Sequence, residues 1–115
     1  MSTLFEDLAA VDRRVHEPTS LAILTALSKF EFAEFRLIQS LLGLTSGNLS
    51  SHLGRLEEAG FVEITKQIKD KKSNTRLRLS KKGRSSVDQY WVAFKAVQRK
   101  VRTLDIAHLR LAPAK

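Results

Sequence analysis

Residues 45–60, TSGNLSSHLGRLEEAG, read as one helix. Leu49, Leu53 and Leu56 recur at i, i+4 and i+7, so on a 3.6-residue period they share one side and face a core. Ser46, Gly47, Asn48, Ser50, Ser51 and Arg55 take the flanks and the opposite side. That outer face carries no apolar residue. Its side chains are mostly short and rich in hydroxyl and amide groups, so it can come close to a hydrogen-bonding surface. Thr45 suits the N-cap, its hydroxyl accepting from the amide of Gly47 or Asn48, although Asn48 stands where a capping box has Glu or Gln. Gly60 suits the left-handed position past the helix end.

Just upstream, FAEFRLIQSLLG reads as a shorter helix with Leu37, Ile38, Leu41 and Leu42 as its inward stripe. Gly43 and Leu44 leave two or three residues for a turn. Two helices joined by a tight glycine-containing turn, the second with a polar outer face, form a helix-turn-helix pattern, and a DNA groove is a surface that such a face fits.

The rest of the composition bounds the reading. A chain of 115 residues with 43% hydrophobic residues can bury one core and has no room for two independent domains. With no cysteine there are no disulfides, thiol switches, thiolate metal sites or cysteine nucleophiles. No apolar run approaches a membrane span and the N-terminus shows no signal-peptide core, so the expected location is cytoplasmic, away from any membrane. The net charge of +8 is concentrated: nine basic residues between Lys66 and Arg84 face one acid, Asp70, while the other eleven basic residues match eleven acidic ones. Such a block would be a solvated lysine-rich loop if it stood alone. Directly after a helix-turn-helix it points to a polyanion.

Before these elements, Leu4, Leu8, Val11 and Val15 step by four, three and four, which predicts an N-terminal helix over 3–15. Pro18 ends it near His16 and Glu17 and starts a second helix, PTSLAILTALSKF, burying Leu21, Ile23, Leu24 and Leu27. Glu31 and Phe32 are read as a short strand. After Gly60 the period changes from 3.6 to 2: FVEITKQI and TRLRLS read as strands around a polar loop of about six residues, KDKKSN, making a β-hairpin with a basic wing over 68–75. Ser80 can cap a last helix over 81–111, in which Tyr90, Phe94, Val97, Val101 and Leu104 step by four, three, four and three; His108 and Leu111 would continue this heptad spacing, and Trp91 widens the stripe. From Lys81 to just past Arg102 alone such a helix is roughly 35 Å long, more than a core of this size covers, so its excess apolar face calls for a second copy.

This order of elements resembles the winged-helix transcriptional regulators of the MarR/ArsR-like group, above all the small single-domain winged-helix DNA-binding regulators. The residues that carry the likeness are His16-Glu17-Pro18 with 21–24, Leu42 to Thr45, Gly47 to Leu53, Leu56 to Gly60, Leu79-Ser80 and Gly83-Arg84. The resemblance implies that the helix bearing Asn48 and Arg55 enters the major groove, that the hairpin end meets the backbone or minor groove, and that the terminal helices dimerise. Gly54 departs from the pattern, since relatives often carry a long basic side chain there.

The expectation is therefore a mainly α protein with a small β-hairpin (α+β), one winged helix-turn-helix domain over 1–115: N-terminal helix 3–15, core 18–80, C-terminal dimerisation helix 81–111. It binds double-stranded DNA as a homodimeric regulator through recognition helix 45–59. Thr45, Ser46, Gly47, Asn48, Ser50, Ser51, Arg55, Lys69, Lys71, Lys72 and Arg76 are its DNA-binding candidates, and Leu4, Leu8, Val11, Tyr90, Phe94, Val97, Val101 and Leu104 its dimer-interface candidates. No cofactor is expected. The histidines at 16, 52 and 108 lack metal-ligand spacing; His52 sits beside the inward stripe as a boundary residue, and His16 is a helix-end residue. Ser50 and Ser51 have no activating base nearby in sequence, so catalysis is not expected. Gly47 and Gly54 each cost a helix about 0.5–1 kcal/mol, which either close packing or, for Gly47, approach to a phosphate would explain. Tyr90 and Trp91 fit core or dimer packing ahead of an effector pocket, and a small-molecule effector has no support in the sequence. The alternative function is a winged helix used as a protein-interaction or assembly module, which should lack a basic wing and show an apolar recognition face. RNA binding ranks third, because no aromatic residues interleave the basic block.

Overall fold

Helices and sheet converge on Phe61, which is fully buried. Its amide donates to the Leu56 carbonyl (2.9 Å) and its carbonyl accepts from the Ser80 amide (3.0 Å), so one residue ties the end of one helix to the start of another. The computed structural model describes residues 3–103 together with Arg110, Ala112 and Ala114. Its elements are α1 (Leu4–Ala9), α2 (Arg13–His16), α3 (Pro18–Leu27), β1 (Ala33–Glu34), α4 (Phe35–Leu42), α5 (Ser46–Glu58), β2 (Val62–Lys69), β3 (Lys72–Leu79) and α6 (Lys81–Arg102). The strands form one antiparallel sheet in the order β1-β3-β2. Ile23, Leu24 and Leu27 of α3, Ile38 of α4, and Leu49, Leu53 and Leu56 of α5 close over Leu77 and Leu79. The result is a mainly helical winged-helix fold with a small sheet. No helix among the described residues is long and apolar enough to cross a membrane.

Local chemistry sets the boundaries. Thr45 accepts from the Asn48 amide (3.1 Å) and starts α5, Ser80 accepts from the Gly83 amide (3.0 Å) and starts α6, and Glu17 accepts from the amides of Thr19 (3.1 Å) and Ser20 (2.8 Å) to start α3 behind Pro18. Gly43 and Gly60 end α4 and α5 with φ of 66° and 81°, left-handed values that a side chain would strain.

Four expectations are corrected. The predicted helix 3–15 is two helices, because Asp12 adopts an extended backbone, accepts from the Arg14 amide (2.8 Å) and caps a new start; the apolar stripe runs across the break. The short strand lies at Ala33–Glu34, two residues later than Glu31 and Phe32, where it pairs with Leu77 and Arg76. In α4 the inward face is Phe35, Ile38 and Leu42, while Leu37 and Leu41 are exposed. The hairpin loop has two residues, not six: Lys69 pairs with Lys72, and Asp70 and Lys71 both take positive φ (53° and 64°), the conformation of a tight primed turn.

Candidate nucleic-acid interface

The outer face of α5 is as the sequence predicts: Ser46, Gly47, Asn48, Ser50, Ser51, Gly54 and Arg55 are all exposed. A methyl group on Gly47 or Gly54 would meet nothing within 4 Å, so packing inside the subunit does not account for either glycine. The hydroxyl of Thr45 is engaged in the cap, whereas those of Ser46, Ser50 and Ser51 lie on the open face. On the helical wheel Gly47 and Ser51 point furthest from the core. Ser46, Ser50 and Gly54 turn toward the hairpin, and Asn48 and Arg55 toward α3.

Between α5 and the hairpin runs a groove of about 380 Å³, lined by Phe35, Ser46, Ser50, Leu53, Gly54, Ile64, Lys66 and Thr75. The register shows which wing residues share that side. Ile64 opposes Leu77, Lys66 opposes Thr75, and Ile68 opposes Ser73, so Lys66 and Ile68 continue the groove face of the pleat. Thr65 opposite Arg76, Gln67 opposite Asn74, and Lys69 opposite Lys72 alternate onto the other face. Lys66 is therefore a groove residue that sequence reasoning missed among the DNA-binding candidates. Ile68, 84% exposed, lies on the same face of the pleat, beyond the residues that line the groove. The available signal was the two-residue period counted forward from Val62 through Ile64 to Lys66.

The basic block is not one patch. Arg76 leaves the candidate group at the wing end: half-buried, it stacks its guanidinium 3.5 Å over the Phe32 ring, on the face away from the groove. Arg78 pairs with Glu63 (3.5 Å), the Lys82 ammonium donates to the Ala59 carbonyl at the end of α5 (2.6 Å), and the Arg84 guanidinium donates to the Phe30 carbonyl (3.0 Å). Lys66, Lys69, Lys71 and Lys72 form no ion pair among the described residues. Lys69, Lys71 and Lys72 gather at the end of the wing, and Lys66 stands apart on the groove face. Lys69 and Lys72 face each other directly, which repels them unless an anion lies between.

On the other flank of α5, Arg14, Glu17, Ser20, His52, Arg55, Leu56 and Ala59 line a pocket of about 330 Å³. Burial opposes ionisation of Glu17, but the Ser20 and Thr19 amides and the nearby His52 outweigh it and hold the carboxyl below its ordinary value. The Arg14 guanidinium, 3.0 Å from Asp12, holds that carboxyl low as well. Among the described residues no cluster of His, Asp or Glu could hold a metal ion.

The terminal helices carry further apolar surface outside the core. Asp7 of α1 pairs with Lys100 of α6, and Val11 packs by Tyr90. Tyr90 drops from the dimer-interface candidates: only 6% exposed, it bonds through its hydroxyl to His16 Nδ1 (3.0 Å) and belongs to the subunit's own core. Phe94 and Val97 are half-buried. Leu4, Phe5, Leu8, Trp91, Val92 and Val101 remain exposed, Phe5 by 77% and Val101 by 51%. Leu104, His108 and Leu111 lie outside the described residues.

Comparison with known proteins agrees with this geometry. Residues 19–98 match the family model described as a winged helix DNA-binding domain. A 68-residue stretch is 40% identical to an uncharacterized protein of Methanocaldococcus jannaschii, covering 59% of this chain and 74% of that one. The structure of a transcriptional regulator homologue from Pyrococcus horikoshii superposes with a TM-score of 0.79 at 31% identity, covering 84% of this chain and 97% of that one. The transcriptional repressor CouR, solved bound to a 23-mer DNA duplex, has a TM-score of 0.68 at 21% identity over 93% of this chain and 73% of its own. A MarR-like transcription regulator from Bacillus cereus shares the fold with a TM-score of 0.62 at 17% identity, over 84% of this chain and 70% of that one. The chain belongs to the winged helix DNA-binding domain family, a family of DNA-binding regulators and not of enzymes, and it has the fold of the MarR-like transcriptional regulators.

Proposed function

We propose that this protein is a homodimeric transcriptional regulator that binds double-stranded DNA sequence-specifically, with α5 in the major groove and the wing on the backbone or minor groove. The observation that carries this is the open face of α5, where exposed Ser46, Asn48, Ser50 and Ser51 alternate with two glycines that nothing in the subunit covers. Short donors and acceptors on a rigid helix can read base edges, and bare backbone at Gly47 and Gly54 lets that helix approach closely. Arg55 and the wing lysines Lys66, Lys69, Lys71 and Lys72 lie to either side, where phosphates flank a groove.

The homodimer is supported by surplus apolar surface. Helices α1 and α6 expose Phe5, Leu8 and Val101, an apolar face that a second copy would cover. Two subunits would place their α5 helices in successive major grooves, about 34–36 Å apart or a multiple of that. Selection from a random duplex pool tests the reading. Enrichment of a pseudo-palindromic sequence supports it; recovery of no preferred sequence would favour the protein-interaction alternative.

A further inference from the structure

His52 lies on the α3 flank of α5, half-buried, four residues after Asn48. Its Nδ1 is 2.9 Å from the Asn48 carbonyl oxygen and its Nε2 is 3.5 Å from Glu17 Oε2. A carbonyl oxygen only accepts, so Nδ1 carries a proton. A neutral ring protonated there would turn the lone pair of Nε2 toward a carboxylate, setting acceptor against acceptor. The imidazolium has an N–H on both nitrogens, so it donates to the Asn48 carbonyl and sets a positive charge beside the Glu17 carboxylate.

Glu17 is itself held in place. It accepts from the Thr19 and Ser20 amides at the N-terminus of α3, so whatever it grips is fixed to that helix. The other charges facing the pocket are Arg14 of α2 and Arg55 of α5. Arg14 is engaged by Asp12, whereas Arg55 forms no ion pair among the described residues. Glu17 is thus the one carboxylate in contact with the ring, and the two guanidinium groups line the same pocket.

We propose that His52 is a pH-sensitive positioning residue: its protonated ring clamps the first turns of α5 to the N-terminus of α3, fixing Asn48 for base reading. The inference rests on the DNA-binding reading of α5. Sites of this kind need placement within about 0.5 Å, which a second layer of hydrogen bonds supplies. The sign follows from the charged form making the contact. The clamp is present at low pH and lost as the ring discharges, so DNA affinity falls as pH rises through the histidine range.

The test pairs a DNA-independent readout with a binding readout, both on the full chain. In the free protein, NMR titration of the histidine rings across about pH 5 to 8 should move the Asn48 and Ser20 amides with the His52 midpoint, and His52→Gln should abolish the coupled shifts. Fluorescence anisotropy with a selected duplex at constant ionic strength should show affinity falling about two- to fivefold over the same range, the scale of a partly exposed ion pair. His52→Gln and Glu17→Gln should both flatten that profile; Gln at 17 keeps an acceptor for the α3 amides, so the fold persists. A wild-type profile already flat would overturn the proposal. So would a slope that survives Glu17→Gln but not His52→Gln, because His52 would then be touching phosphate directly. If no duplex binds at any pH while the amide shifts remain coupled, the clamp stands and the DNA-binding reading is what fails.

Discussion

Gly83 packs against the backbone of Phe61 so tightly that a methyl group on its Cα would overlap the Phe61 carbonyl. That carbonyl already accepts from the Ser80 amide, so it cannot swing aside without opening the junction between β3 and α6. Gly83→Ala should therefore destabilise the protein by about 1–3 kcal/mol, seen as a lower urea midpoint. Gly54→Ala should act in the opposite direction. Open space surrounds Gly54, so alanine should add about 0.5–1 kcal/mol of stability while weakening DNA binding. Unchanged DNA affinity in that variant would remove the case for close approach.

The dimer prediction uses residues that the subunit itself does not need. Leu8 and Val101 are exposed on α1 and α6, so glutamate at both positions should leave the monomer folded but separate a pair that associates there. Sedimentation velocity at tens of micromolar should show a dimer for the unmodified protein and a monomer for the double variant, with equal helical circular dichroism. An unmodified protein that sediments as a monomer would contradict the assignment.

Acid should loosen the N-terminal caps. Arg14 lowers the carboxyl of Asp12, and at Glu17 the Ser20 and Thr19 amides lower it against burial, so both groups hold protons less readily folded than unfolded. Their stabilisation is present above the ordinary carboxylate range and lost as pH falls through the lowered folded values. Both sites are largely solvated, so each contributes at most about 1 kcal/mol. Thermal melts taken on descending pH should show a shallower acid limb in Asp12→Asn and Glu17→Gln than in the parent.

The wing register separates two kinds of lysine. Lys66 lines the groove beside Ser46 and Ser50, while Lys69 and Lys72 occupy the other face of the hairpin near its end. Replacing Lys66 by Ala should weaken binding even when the wing end is intact, and the salt slope should fall by about 0.9 for each phosphate that is no longer neutralised. If Lys66→Ala leaves both affinity and slope unchanged, the groove face of the hairpin does not meet DNA.

Most boundaries that depend on a local cap were legible in the sequence, the Asp12 cap inside the first apolar stripe excepted. Thr45, Gly60 and Ser80 act where their chemistry places them, and the stripe Leu49, Leu53 and Leu56 is buried as spaced. What was hidden depends on neighbours distant in sequence. Leu37, Ile38, Leu41 and Leu42 cover too wide an arc for periodicity to choose a face; packing against α3 and β3 chooses the Ile38 side. Lys69 and the outer residues of β3, Lys72, Ser73 and Asn74, are all polar, so no alternation marked them, and a two-residue turn lacking glycine looked like the middle of a longer loop. The charge count located the wing correctly but could not show that Arg76, Arg78, Lys82 and Arg84 each have a partner in the fold.

The central claim is that α5 reads bases while the wing lysines hold the backbone. It is tested most directly by measuring the binding of Asn48→Ala, Ser51→Ala and the triple variant Lys69, Lys71 and Lys72→Ala to a selected duplex and a scrambled one across a salt series. The helix variants should each lose about 1–3 kcal/mol on the selected duplex only, with the salt slope nearly intact. The wing variant should weaken both duplexes alike and flatten the slope. Loss of sequence preference in the wing variant, with the helix variants indistinguishable from the parent, would contradict that division of roles.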